Sequence, residues 1–261
     1  MPDWLSTLAI VCGLTALFML SLGGGARVQR IASRGRSAEG AGAGFIVGAT
    51  LGLLSLLIGF TLALSLDRFE ARRQLVSEEA NAVQTVWMRD QLLDAPYRGQ
   101  LDTLLRAYVR SRLQLPNAGQ ARTALDAQDA RDWAIGQHIW QVTGVALETP
   151  SGARLTMAVL QATNLMFDLA GDRRAGLEAQ VPDPVLAALV IVAAIAAAVT
   201  GYGLEASGRW HLLASAGLFA AASLIIALIV ELDEPRTGLI RVPQAPFERV
   251  AETMLNAPPV Q

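Results

Sequence analysis

One stretch of the chain carries small or polar side chains at three- and four-residue intervals, first within the uncharged run from Phe45 to Leu66 and then beyond it. These positions are Gly44, Gly48, Gly52, Ser55, Gly59, Ala63, Glu70, Arg73, Ser77 and Asn81. At about 100° per residue they share one face of a helix. Around a symmetry axis this face would line a passage for ions, whereas between two helices of one subunit it would be a close-packing seam. Repeated once per subunit, Arg73 would attract anions and Glu70 would attract cations.

Further charged residues lie beside this face and on a later helix. Arg72, Glu78 and Glu79 belong to the same predicted helix, and Arg173 and Arg174 belong to a predicted helix further along the chain. Opposite charges placed in this way form ion pairs within and between helices. We interpret these five residues as a structural network that holds a soluble bundle to the membrane helices.

Groups that would carry catalysis or bind a metal are not gathered in the sequence. The two histidines, His138 and His211, belong to no HExxH or Ser/His/Asp pattern. The single cysteine, Cys12, lies in an apolar segment and forms no CxxC pair. We therefore expect no enzymatic activity, no catalytic residue, no metal site and no cofactor.

Composition and charge limit the class of protein. The formal net charge is −2 and no basic stripe is interleaved with aromatic residues, so nucleic acid is not an expected partner. Asp126, Asp129 and Asp132 recur every three residues on a predicted helix, which indicates a solvated acidic stripe rather than a calcium-binding loop. With 52% hydrophobic residues, the chain is too apolar for an ordinary soluble domain.

Four apolar segments are predicted to cross the bilayer, at residues 4–22, 44–66, 185–204 and 210–230. Each is long enough to span a hydrocarbon core of about 30 Å at about 1.5 Å per residue. Residues 23–44, rich in Gly, Ala, Ser and Arg, offer little apolar surface and are expected to form a mobile connector. The Ala-rich third segment is expected to let neighbouring helices approach closely.

Residues 67–180 are predicted to be helical throughout, because apolar residues recur at helical spacing and no alternating runs occur. The extension of the second span and helices at about 96–113, 121–147 and 153–179 indicate a helical bundle, with Trp133 and Trp140 in its core. The predicted division is a first transmembrane hairpin with its connector (1–66), the bundle (67–180), a second transmembrane hairpin (181–231) and a Pro-rich tail (232–261).

The tail begins with Asp233, Pro235 and Gly238, directly after the last span. Pro and Gly at this spacing shape a turn, and the Asp233 carboxylate can accept hydrogen bonds from it. We predict that this motif docks the tail against the bundle or a neighbouring subunit, and that a short helix at about 247–255 adds apolar contact.

Basic residues near the spans predict an orientation in the cell (inner) membrane. The connector carries Arg27, Arg30, Arg34 and Arg36, whereas only Asp3 precedes the first span. Because basic loops stay in the cytoplasm, this pattern predicts that both termini and the bundle face outward.

Several runs resemble the bestrophin-like membrane proteins of bacteria and plants. They are GFTLALSLDRFEARRQLVSEEANAV (59–83), RAYVRSR (106–112), TNLMFDLAGDRRAGLEAQVP (163–182) and LDEPRTGLIRV (232–242). That family is named for a distant similarity to bestrophins, pentameric anion channels whose second helix lines the pore and continues into a cytosolic helical domain. The resemblance therefore implies a bundle inside the cell, opposite to the charge rule. Arg236 departs from the pattern, since an aromatic residue is expected there.

The sequence thus predicts an all-α integral membrane protein with four transmembrane helices in two hairpins and a helical bundle inserted between helices 2 and 3. It is expected to assemble as a symmetric homo-oligomer, a pentamer if it follows bestrophins. Its expected function is that of a bestrophin-like ion channel, or channel-related protein, that conducts anions with helix 2 (44–66) around the axis. The alternative is a non-conducting scaffold or sensor whose bundle binds a partner. Its expected partners are the lipid bilayer, other copies of the chain and inorganic ions.

Overall fold

The computed structural model describes residues 3–33, 40–114, 122–206, 212–234 and 240–256. The helices in these ranges are α1 (Asp3–Ala32), α2 (Gly40–Asp90), α3 (Ala95–Leu113), α4 (Arg122–Ala146), α5 (Pro150–Glu178), α6 (Asp183–Ala206), α7 (Leu212–Asp233) and α8 (Ala245–Asn256). No strand occurs in the described ranges, so the predicted all-α class is confirmed. Helical stretches long and apolar enough to cross a membrane are Trp4–Ala32 in α1, Gly44–Asp90 in α2, Ala153–Glu205 across α5 and α6, and Leu213–Asp233 in α7.

The chain divides into two compact units. One, called the membrane unit below, comprises Met1–Phe69 and Gln180–Ile240, and the other, called the bundle unit, comprises Glu70–Ala179 and Arg241–Gln261. Helix α2 contributes residues to both units. The tail that the sequence suggested as one segment is divided between the two units after Ile240.

Helix α1 is central to the membrane unit, because it packs against both α6 and α7. The buried core of this unit combines bulky side chains with small alanines of α6. Its members are Phe18, Leu22, Leu54, Ile58, Leu189, Ala193, Ala196, Ala197, Phe219, Ala222, Ile226 and Ile229. Helix α2 therefore reaches this core through Leu54 and Ile58, while the grouping of the spans into two hairpins stays a prediction.

The close packing of small residues expected for the Ala-rich span occurs between α6 and α1. A Cβ added at Gly25 would lie 1.8 Å from the carbonyl oxygen of Ala198. A Cβ added at Gly201 would lie 1.9 Å from the carbonyl oxygen of Leu22. Only glycine fits at both positions, because the two backbones touch there and association in lipid depends on such contact.

The prediction of a mobile connector at residues 23–44 is wrong for most of the residues there that the structure describes. Helix α1 continues through residues 23–32, and α2 begins at Gly40. At the end of α1, the Nε atom of Arg30 lies 2.7 Å from a carboxylate oxygen of Glu205 at the end of α6. The composition is typical of a linker, but packing against α6 stabilises the helix that this composition alone would not form.

The bundle unit has a single buried core built from five helices. Its members are Val76, Ala80, Ala82, Val83, Val86, Leu93, Leu101, Leu105, Tyr108, Val109, Ile139, Ala146, Ala162, Met166, Phe247, Val250 and Met254. The last three lie on α8, whose apolar residues at helical spacing form one buried stripe. The predicted short helix therefore completes the bundle, which contains α8 in addition to the four predicted helices.

Two predicted core residues of the bundle lie on its surface instead. Trp133 is 69% exposed and Trp140 is 45% exposed, whereas Ile139 of the same helix is fully buried. Both indoles follow the helical spacing of a core stripe, but α5 covers Trp140 only in part, through Phe167, and leaves most of Trp133 exposed. The helical period therefore identified the helix, its partly buried Ile135 and its buried Ile139 correctly, and it placed the two indoles in the core wrongly.

Replacing Gly25 or Gly201 with Ala is expected to destabilise the membrane unit by about 1–3 kcal/mol or more, because the new methyl group would overlap the facing backbone. Thermal unfolding of the detergent-solubilised protein, with the yield of monodisperse protein, measures the effect. Gly13→Ala is the matched control, since a Cβ at Gly13 meets nothing within 4 Å. Equal stability of Gly25→Ala and Gly13→Ala would contradict the close contact.

Candidate functional site

One face of α2 carries small side chains, and no other described helix of the subunit covers it. It is called the small face below. Gly48, Gly52, Ser55, Gly59 and Ala63 are all exposed. A Cβ added at any of the three glycines would meet nothing within 4 Å. These residues therefore form no close-packing seam with the described helices of their own chain, and that seam lies between α1 and α6 instead.

The polar residues that follow on α2 are also accessible. Glu70 and Arg73 form an ion pair at 3.4 Å, and each side chain is 58% exposed. Asn81 is exposed and Ser77 is half-buried, with its hydroxyl 3.5 Å from the Arg73 carbonyl oxygen. An exposed pair of this kind contributes at most about 1 kcal/mol to stability, so both charges stay available to ions or to another copy of the chain.

Within the membrane unit, α2 is buried along a narrow line. Its buried residues there are Leu54, Ile58, Thr61 and Ser65. Large apolar side chains on other sides of the helix are exposed, including Phe60 at 69%. Lipid or other copies must cover this surface, because exposed apolar area of this extent is unfavourable in water.

A buried carboxylate, that of Glu79, lies at the centre of the bundle unit. Its side chain is completely buried, and its Oε2 lies 2.9 Å from Nη1 of Arg173. The hydroxyl of Tyr108 donates a hydrogen bond to Oε1 at 2.5 Å. The Nε atom of Arg112 lies 2.8 Å from Oε1 but off the N–H direction, so this contact is one of charge rather than a hydrogen bond.

Arg112 connects this carboxylate to α4. Its Nη1 lies 3.0 Å from Asp132, its Nη2 donates to the Tyr108 hydroxyl at 2.8 Å, and its guanidinium lies over the Tyr108 ring. Burial opposes the charged form of Arg112, but Tyr108, Glu79 and Asp132 together raise its pKa above the ordinary value. Burial, followed by the charge of Glu79, raises the pKa of Tyr108. Tyr108 therefore stays neutral and Arg112 stays charged at neutral pH.

Arg173 connects the same carboxylate to α8. Its Nη2 donates to the side-chain oxygen of Gln244 at 3.0 Å, and its guanidinium lies 5.3 Å from the ring centroid of Phe247. The Glu79 network, defined as Glu79, Tyr108, Arg112, Asp132 and Arg173, thus joins α2, α3, α4 and α5, and it reaches α8 through Phe247. All its members belong to the bundle unit.

The structure brings together only part of the predicted ion-pair set. Glu79 and Arg173 meet, whereas Arg174 is 61% exposed and pairs at 3.6 Å with Asp129 and with Glu178. Glu78 accepts a hydrogen bond from Gln74 at 2.7 Å, and Arg72 is buried.

Two members of the network were missed by the sequence reasoning, and one was misplaced. Tyr108 and Arg112 stand four residues apart on the apolar face of α3, and this spacing was the signal that could have indicated a buried pair. Asp132 was assigned to a solvated stripe, but its side chain is only 10% exposed and faces Arg112.

The tail residue Asp233 binds within the membrane unit. The backbone N–H of Val181 donates a shared hydrogen bond to the two carboxylate oxygens of Asp233, at 2.9 Å from each. Val181 and Asp233 are both buried. This contact joins the end of α7 to the segment before α6. The docking of the tail against the bundle or a neighbouring subunit stays a prediction. Pro235 and Gly238 lie outside the described residues.

The described ranges contain no group of three or more His, Cys, Asp or Glu that could hold a metal ion.

The family relationship follows from the extent of the sequence match. A model of the Bestrophin-like domain matches residues 15–247. The chain belongs to the Bestrophin-like domain family. No curated protein matches it.

The bestrophin-like fold is also found in solved structures. Among those similar to this chain are three crystal structures of a bacterial bestrophin homologue from Klebsiella pneumoniae, two of them of single-substitution variants. For the variants, the identity is 16% and 15% and the TM-score is 0.64 and 0.66, covering 94% and 96% of this chain and 98% and 97% of the other. For the third, the identity is 16% and the TM-score is 0.63, covering 95% of this chain and 97% of the other. At such identity the likeness shows the fold.

Replacing Glu79 with Gln is expected to destabilise the protein by about 3–5 kcal/mol, because Arg112 and Arg173 would lose the carboxylate that neutralises them. This corresponds to a fall in Tm of the order of 10 °C in thermal unfolding of the full-length protein. Glu70→Gln, at an exposed pair, is the matched control and is expected to change Tm little. A Tm for Glu79→Gln equal to that of Glu70→Gln would contradict the central role of this carboxylate.

Asp90, at the end of α2 in the bundle unit, is a second buried carboxyl group. Neither of its carboxyl oxygens has a hydrogen-bond partner, and its side chain is inaccessible. Burial raises the pKa of Asp90 to about 7, because desolvation penalises the charged form.

Stability is therefore expected to fall as pH rises from about 4 to about 7. The folded protein holds the proton of Asp90 in this range while the unfolded chain releases it, and the full difference is about 4 kcal/mol at most. Tm measured across this range for the natural protein and for Asp90→Asn tests the effect. The amide does not titrate, so the variant should lose this part of the pH dependence. An identical pH profile for the two proteins would show that Asp90 is not responsible.

Proposed function

We propose that the protein is a homo-oligomeric ion channel, with α2 around the symmetry axis and anions as the permeant species. The observation that carries the proposal is the uncovered small face of α2, from Gly48 to Ala63. Small side chains leave room for ions at an axis, and no described helix of the same subunit uses this face for packing. Membership of the Bestrophin-like domain family supports the same arrangement, and five copies would follow the pattern of bestrophins.

The preference for anions rests on Arg73 and on the resemblance to bestrophins. In a ring, Arg73 would repeat once per subunit close to Glu70, so the two charges would oppose each other in selecting the ion. Their pair is long and exposed, and each side chain can therefore turn towards a passing ion.

Reconstituted protein in liposomes is expected to conduct chloride, and Arg73→Glu is expected to shift the selectivity towards cations. Reversal potentials under a salt gradient measure the shift. Arg249→Glu is the control, because Arg249 is exposed on α8 and lies off the α2 face. Equal reversal potentials for Arg73→Glu and the natural protein would remove Arg73 from the pore. No ion flux under any voltage, pH or calcium concentration would contradict the channel itself.

The second candidate is a non-conducting scaffold or sensor. It is favoured by the exposed Trp133 and Trp140, which make the surface of the bundle unit more suited to binding than that of an ordinary helical bundle. In that case α1, α2, α6 and α7 would serve only to anchor the protein. Absence of flux together with a folded, oligomeric protein would support it.

The side of the membrane on which the bundle unit lies can be decided by labelling. The loop arginines predict an outward bundle, whereas the resemblance to bestrophins implies a cytoplasmic one. The measurement uses Thr103→Cys, an exposed position of α3, in a Cys12→Ser background, with a membrane-impermeant maleimide added to intact spheroplasts. The loop charges predict labelling without permeabilisation. Labelling only after permeabilisation would show that the charge rule fails for this protein.

A further inference from the structure

A cavity of about 580 Å³ opens between α3, α4 and α5 of the bundle unit. Trp133, Gly136, Gln137 and Trp140 line it from one face of α4, at spacings of three and four residues. Asn164, Phe167, Gly171 and Arg174 line it from the facing side of α5. Its size is that of a small-molecule site, and aromatic surface with a few polar groups is the usual lining of such sites.

Three aromatic rings of α4 and α5 form the main apolar surface of the cavity, which Tyr108 of α3 also lines. The rings of Trp140 and Phe167 meet edge to face, with centroids 6.3 Å apart. Trp133 lies two turns before Trp140 on the same face of α4 and is 69% exposed. An exposed indole beside a concave surface gains free energy when a ligand covers it.

Two glycines give the cavity its space. A Cβ at Gly136 would come within 3.2 Å of the Phe167 ring, so the absence of a side chain lets this ring lie against α4. At Gly171 a Cβ would meet nothing within 4 Å, and the space above this residue is open.

The charged groups of the cavity are balanced and unequally engaged. Arg112 and Asp132 are held at 3.0 Å within the Glu79 network. Arg174 and Asp129 are 3.6 Å apart, beyond hydrogen-bond distance, and Arg174 is 61% exposed. Arg174 also lies 3.6 Å from Glu178, which is outside the cavity lining. Within the lining, this looser pair presents one guanidinium and one carboxylate to a ligand.

We propose that the cavity binds an aromatic α-amino acid. Its ring would lie among Trp133, Trp140 and Phe167, its carboxylate would pair with Arg174, and its ammonium group would pair with Asp129. A zwitterion keeps the balance of charge, whereas an aromatic acid or amine leaves one partner of the pair unmet. This site is distinct from the α2 face, so its ligand binding does not require that the protein conducts ions.

The test is a titration of the full-length protein in nanodiscs with L-phenylalanine, followed by calorimetry and by tryptophan fluorescence excited where phenylalanine does not absorb. Saturable binding with a fluorescence change is expected. Leucine, phenethylamine and phenylpropionate each lack one recognition element and are expected to bind at least about tenfold more weakly. Equal binding of any of the three, or no saturable binding of phenylalanine, would overturn the proposal.

Variants locate the site. Gly171→Leu places a side chain in the open space above this residue and is expected to lower the affinity at least about tenfold, as is Arg174→Gln. Gly144→Leu and Arg154→Gln are the matched controls, since both positions are exposed and lie outside the cavity lining, and a Cβ at Gly144 meets nothing within 4 Å. Full affinity in Gly171→Leu would place the ligand elsewhere. Cross-linking between copies of the Trp133→Cys variant in the Cys12→Ser background, with no ligand bound, would show that a second subunit covers the cavity, which also overturns the proposal.

Discussion

The bundle unit depends on one buried negative charge, that of Glu79. A carboxylate without access to water is strongly unfavourable unless cations and donors surround it. Arg112, Arg173 and the Tyr108 hydroxyl meet this requirement. Arg112 and Tyr108 lie on α3, and Arg173 lies on α5. The charges must be satisfied together, and a helix that shifted would leave at least one of them alone. Because of this constraint, the network fixes how α2, α3 and α5 are placed relative to one another.

The membrane unit uses a different kind of contact. In lipid the hydrophobic effect does not drive its helices together. Close packing of the backbones therefore determines which helices associate, in place of a buried charge. The two glycines of the α1–α6 seam allow this closeness, while the glycines of α2 touch nothing in their own subunit. Glycine therefore has two different roles in one protein, and the presence or absence of a neighbouring helix distinguishes them.

These two features separate stability from function. The Glu79 network and the α1–α6 seam are enclosed and structural, whereas the small face of α2 and the aromatic cavity are open. Open surfaces of unusual composition are where a protein meets ions, ligands or other copies. In the proposed channel, the uncovered α2 is the surface that assembly would complete, and the cavity is a surface that the bundle unit offers independently.

The sequence by itself determined the spans and the helical class, because apolar length and helical periodicity are local properties. It also indicated the family, through the runs of residues that resemble it. It further identified Glu79 and Arg173 as members of an ion-pair network, since charged residues next to apolar stripes can be recognised from the sequence. Only the tertiary structure decided that residues 23–32 are helical, that Trp133 and Trp140 are exposed, and that Arg112 and Asp132 complete the network. Each of these depends on what a neighbouring helix covers or touches, and a periodic pattern carries no information about which neighbour will be there.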